Sequence, residues 1–138
     1  MRAKAIAYWA TTLIIAAELV SGGVLDLARE ASTVATLHHL GYPTYLLSIL
    51  GPLRLLAAAV LLAPGLPRLK EWAYAGTVFE LGGAALSYFA VNGSVGNIAT
   101  PLLLAACAVA SWALRPPSRM LGEISLRIRI RGRGAGTK

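Results

Sequence analysis

Four long apolar stretches, separated by short breaks, govern what this chain can fold into. They run from about Ala5 to Leu25, Tyr45 to Ala63, Trp72 to Val91 and Ile98 to Leu114. Each approaches the roughly 20 residues that a helix rising about 1.5 Å per residue needs to cross a hydrocarbon core of about 30 Å. The breaks are rich in turn formers: Gly41-Tyr42-Pro43, Pro64-Gly65-Leu66-Pro67, Asn92-Gly93-Ser94 and Arg115-Pro116-Pro117.

Composition agrees. Of the 138 residues, 57% are hydrophobic and 14% charged, against about 45–50% and about 25% in a soluble domain. So short a chain cannot bury that much apolar surface within itself, and disorder needs the opposite composition. Its apolar mass is mostly Ala and Leu, without the alternation of a membrane barrel. The sequence therefore predicts an all-α membrane protein, a four-transmembrane-helix bundle with a short outer helix between Asp26 and His39 in the first loop. Residues 1–117 form the transmembrane domain and 118–138 a basic cytoplasmic tail. The first stretch reads as a retained helix, because a signal peptide has an apolar core of only about 7–15 residues and no A-x-A pattern follows here.

Orientation follows from the basic residues. Eleven of the 13 Lys and Arg fall on one side: Arg2 and Lys4, Arg68 and Lys70, and seven from Arg115 onward. Arg29 alone faces the other side, and Arg54 lies within the second stretch. Both termini are expected on the cytoplasmic side of a bacterial inner membrane, with multiple passes. Tyr8, Trp9, Trp72, Tyr74 and Trp112 would form an aromatic belt at the inner interface, and Tyr42 and Tyr45 at the outer one.

In the tail, Ile and Leu alternate with Arg from Ile124 to Arg133, a strand period. It suits either attraction to anionic headgroups or an edge strand added to a partner. No aromatic residues are interleaved to stack bases, so nucleic acid is not an expected partner. The single cysteine, Cys107, excludes an intrachain disulfide. His38 and His39 are adjacent and cannot ligate one metal from a single helix face, so no metal site is expected. Placed in the outer loop, they either have no role, sense pH, or close a cavity from outside. No haem ligand pair and no dinucleotide fingerprint appear, so there is no intrinsic cofactor and no self-contained catalytic motif.

Any chemistry lies in the charges within the apolar stretches. A charge at the bilayer centre costs about 3 kcal/mol on insertion scales. Arg54 falls near the midplane, with Glu18 somewhat outside it and Glu80 somewhat inside. One guanidinium can sit between two carboxylates, so Arg54 is expected to touch Glu18, Glu80 or both. Glu18, Ser21, Gly22 and Leu25 share one stripe, and Gly76, Glu80, Gly83, Ala84, Ser87 and Tyr88 another. Small residues there allow either close packing or room for a ligand. Asp26 is placed at the mouth of the same cavity. The candidate ligand-binding residues are thus Glu18, Asp26, Arg54, Glu80, Ser87 and Tyr88. The expected pocket is bounded by the first three apolar helices, the fourth covering the remainder by ordinary packing. A plain ion network that fixes helix packing is the alternative.

Leu40-Gly41-Tyr42-Pro43, Leu50-Gly51 before Arg54, the run Leu69-Lys70-Glu71-Trp72-Ala73-Tyr74-Ala75-Gly76, and Gly83-Ala84-Ala85 resemble the DoxX-like family of small four-helix membrane proteins. So does Ser21-Gly22-Gly23-Val24-Leu25-Asp26-Leu27. The resemblance spans about Ala5 to Leu114. Many relatives carry a histidine near the end of the third apolar helix, where this chain has Tyr88. The resemblance implies a bundle of this kind that binds a lipophilic molecule such as a quinone or lipid. It would then act as the membrane subunit of an oxidoreductase system, partnered by a membrane or soluble subunit. The alternative is a non-enzymatic assembly factor or binding partner for other membrane proteins. The bilayer and a second copy of the chain complete the expected partners.

Overall fold

The expected breaks become helix ends, and each has a local cause. The computed structural model describes residues 1–120. It comprises α1 (Arg2–Ala28), α2 (Ala31–Leu40), α3 (Leu46–Leu62), α4 (Pro67–Ala90), α5 (Val95–Ala113) and a short 3₁₀ turn at Pro117–Arg119. There is no strand among the described residues, and the alternating run Ile124–Arg133 lies outside them. Helix α2 stops at Gly41, whose φ of 80° is the left-handed conformation that glycine adopts without strain. Helix α5 starts at Ser94, whose hydroxyl accepts from the Asn97 N–H at 3.3 Å. That cap sets the helix start earlier than the apolar pattern suggests. Pro101 is therefore inside α5 rather than in its first turn.

The four apolar stretches differ in kind. Helices α1, with 27 residues, and α5, with 19, are long and apolar enough to cross a membrane. Helix α3 is apolar but has 17 residues. Helix α4 has 24 residues but carries Lys70, Glu71 and Glu80. The helix expected in the first loop is α2, and His38 and His39 are exposed in its last turn.

Helix α1 lies against α3 and α5, and α4 against α5 and α3, closing a four-helix ring. Glycines draw α1 and α3 together. A Cβ on Gly23 would stand 3.0 Å from the Gly51 carbonyl oxygen, and one on Gly51 would press on the Leu27 side chain at 2.7 Å. The apolar core, formed by Ile15, Leu19, Ala58, Leu61, Tyr74 and Ala108, fills the half of the ring nearer the amino terminus. The other half, beside α2, is not filled. Outward-facing apolar side chains cover the ring, among them Leu56, Phe79, Leu86, Phe89 and Leu103, each more than 60% exposed.

Candidate functional site

The unfilled half of the ring holds a cavity of about 590 Å³. Its polar centre is Arg54, half-buried on α3. The guanidinium donates through Nε to Glu80 Oε1 at 2.5 Å, and its Nη2 lies equally close to the same oxygen. Its Nη1 lies 3.2 Å from Oδ2 of Asp26, a residue only 3% exposed. Gly22 makes this possible, since a Cβ there would collide with Nη1. Glu18 also lines the cavity, but among the described residues no hydrogen bond or ion pair engages its carboxylate.

Asp26 thus takes the position that the sequence assigned to Glu18. Side chains on a helix lean toward its amino terminus, and α3 begins at the α2 end of the ring. Arg54 therefore reaches past the level of Glu18 to Asp26, one turn beyond Gly22. Asp26 is a buried ion partner rather than a residue at the mouth. The stripe facing Arg54 is Glu18, Gly22 and Asp26, whereas Ser21 and Leu25 are exposed.

Ser87 and Tyr88 line the same cavity, so all six candidate residues meet in one wall. Across its mouth the Tyr42 hydroxyl is 2.8 Å from Ser87 Oγ, a hydrogen bond that ties the α2–α3 loop to α4. The enclosure differs from the expectation of three helices. Ser32, Thr33 and Thr36 of α2, and Asn97 and Thr100 of α5, complete it. The first half of α5 thus reaches this wall, bringing polar side chains to it with Pro101 and Leu104 beside them. Among the described residues, no group of three or more His, Cys, Asp or Glu side chains is placed to hold a metal ion.

A second polar cluster occupies the opposite end, where α4 begins ahead of its apolar stretch. Lys70 is fully buried, and its Nζ donates to the Val60, Leu61 and Ala63 carbonyls at the end of α3. Burial, with Arg119 and Arg115 nearby, lowers its pKa to about 8. It thus remains an ammonium at neutral pH, with one hydrogen for each carbonyl. Glu71 pairs with Arg115 Nη2 at 2.6 Å and accepts from Trp112 Nε1 at 2.7 Å. Burial alone would raise the Glu71 pKa, but these two donors and the Arg115 charge outweigh it and hold the pKa below the usual range. Tyr74 and Thr12 both hydrogen-bond to Ser111 at 2.7 Å. Tyr8 and Tyr74, expected in an aromatic belt, are 1% and 3% exposed and belong to this cluster instead. Trp72, in contrast, is 80% exposed.

The Lys70–Gly76 run therefore has a structural meaning: its first residues lock α4 to the ends of α3 and α5. A model of the DoxX-like family matches residues 10–111, a span that includes this run and the residues lining the cavity. The chain belongs to the DoxX-like family. No curated protein and no solved structure matches it.

Proposed function

We propose that this DoxX-like chain is an integral membrane protein whose cavity receives the polar head of a lipophilic small molecule. In this reading α1, α3, α4 and α5 cross the bilayer and both termini are cytoplasmic. The exposed apolar side chains then face lipid, and the eleven basic residues on the side of the termini obey the positive-inside rule. The observation that carries the reading is the cavity itself. It is roomy, and three carboxylates and one guanidinium stand in its wall, where intramembrane ionisable groups mark ligand or ion sites. A closed ion network would have needed neither the space nor the extra carboxylate.

The oxidoreductase-subunit version, with a quinone as ligand, draws on the family resemblance. The cavity favours the reduced, hydroxyl-bearing form of such a carrier. Arg54 already donates to Glu80 and contacts Asp26, so a head group finds more acceptors than free donors. Electrons would have to come from a partner subunit.

The test is mass spectrometry of organic extracts from the purified protein, wild type beside Arg54→Gln, Glu80→Gln and Ala84→Phe, the last filling the cavity without touching its charges. A molecule extracted from the wild type and lost from Ala84→Phe supports the reading. Equal extraction from all four removes it.

A further inference from the structure

The charges in the cavity wall do not balance. Glu18, Asp26 and Glu80 stand against Arg54 alone, and the other polar groups of the wall are neutral. Arg29, just past the end of α1, donates to Ser48 Oγ at 3.1 Å and is not part of the wall. The imbalance has a location. Arg54 is held by Glu80 and Asp26, and Glu18 is left without a partner among the described residues. Oδ2 of Asp26 is buried and, although near Nη1, accepts no hydrogen bond. Uncompensated carboxylates in a low-dielectric wall are costly. The carboxylates are also too dispersed to gather a metal ion, so a compact inorganic cation is a poor complement. An organic cation matches both the spread of acceptors and the apolar remainder of the wall, which includes Leu37, Leu50 and Leu104.

Building on the ligand-binding reading above, we propose that the cavity selects a lipophilic cation, an ammonium-bearing amphiphile whose charged head lies against Glu18 and whose tail runs along the apolar wall. The head supplies the donors that this carboxylate lacks and cancels part of the excess negative charge. A carboxylate or phosphate head on the same tail meets repulsion from three acids.

The experiment uses the full chain in phosphatidylcholine nanodiscs. Three photoreactive probes share one dodecyl tail and one diazirine position, and carry an ammonium, a hydroxyl or a carboxylate head. At equal mole fraction in the bilayer, the ammonium probe is expected to label cavity residues at least ten-fold more than the carboxylate probe, with the hydroxyl probe between. Glu18→Gln should reduce ammonium labelling several-fold. Glu18 bears no structural pairing, so the variant should fold, and unchanged labelling at lipid-facing Phe89 serves as its control. Hydroxyl or carboxylate labelling of the cavity that equals ammonium labelling overturns the charge selection and leaves the ligand-binding reading standing. Absence of cavity labelling by all three overturns both.

Discussion

Gly22 and Arg54 claim the same space: the guanidinium Nη1 stands where a Cβ on residue 22 would have to go. The glycine is thus part of the ion cluster, although it contributes no side chain. Gly22→Ala should push the guanidinium away from Asp26 and destabilise the protein by about 1 kcal/mol, the lower end of the overpacking range, because the displaced group is the end of a flexible side chain and alanine gains helix propensity. Gly76 is the control, because a Cβ there meets nothing within 4 Å. Gly76→Ala should be neutral, or stabilising by up to about 1 kcal/mol through helix propensity. Thermal unfolding in detergent checks both, and equal behaviour of the two variants would refute the packing argument.

The same cluster predicts a strong asymmetry between removing one charge and removing all of them. Arg54→Leu leaves Asp26 and Glu80 without their cation. Breaking a buried pair costs about 3–5 kcal/mol; with Arg54 and Glu80 about one-fifth exposed, a loss of about 2–3 kcal/mol is expected. Arg54→Leu combined with Asp26→Asn and Glu80→Gln should recover most of it. Leu103→Ala, on an outward-facing residue 67% exposed, should change stability far less than Arg54→Leu does. A triple variant no more stable than Arg54→Leu would show that the charges matter singly rather than as a cluster.

At the opposite end, Lys70→Met keeps the aliphatic bulk and removes the donors for three carbonyls. Each orphaned buried acceptor costs about 1–3 kcal/mol, softened here because Arg119 also donates to Leu61 at 3.2 Å. Amide exchange should accelerate at the α3–α4 turn and the start of α4 more than at the Gly23–Gly51 crossing. Uniform acceleration would mean that the lysine supports the whole bundle rather than this junction.

Glu71 gives the junction a pH dependence of known sign. Its folded pKa lies below its ordinary value, so the folded state binds the proton less readily than the unfolded state. The stabilisation is complete above the ordinary value of 4.5 and is lost as pH falls through the depressed folded value. Unfolding temperature should therefore drop on acidification below about pH 5, and Glu71→Gln should flatten that slope while lowering stability at neutral pH. A wild-type profile that Glu71→Gln leaves unchanged would assign the acid sensitivity to another carboxylate.

What could be read from the sequence divides along physical lines. The helix boundaries followed from Gly, Pro and apolar runs because those signals act locally. The gathering of Glu18, Asp26, Arg54, Glu80, Ser87 and Tyr88 in one wall followed from depth and helical stripes, which survive antiparallel packing. The choice of Asp26 over Glu18 as ion partner did not, because it depends on which way a long side chain leans. The direction was implicit in the tilt of helical side chains toward the amino terminus, once α3 is known to begin at the α2 end. The burial of Lys70, Tyr8 and Tyr74 was hidden for a different reason. These residues resemble interface anchors by type and position, and only their contacts distinguish them: Lys70 with the end of α3, Tyr74 with Ser111 and Tyr8 with Arg119. The role of α5 in the cavity was missed because an uncharged helix suggests packing alone, although Ser94, Asn97 and Thr100 already marked its first turns as polar.

The membrane topology makes a prediction independent of the cavity. If four helices cross and the termini are cytoplasmic, α2 lies outside and the α3–α4 turn inside. His39 and Arg68 are exposed residues at these two places. The native Cys107 lies within α5 and is first changed to Ser, a small substitution at a partly buried position. In intact cells, a membrane-impermeant maleimide should then label His39→Cys and spare Arg68→Cys, and permeabilisation should expose the latter. The motive is the distribution of basic residues, eleven on the side of the termini against Arg29 on the other, a bias that orients short-looped membrane proteins. Labelling of Arg68→Cys in intact cells, with His39→Cys protected, would invert the protein in the bilayer. The charged cavity would then open toward the cytoplasm, and its ligand would have to be sought on that side.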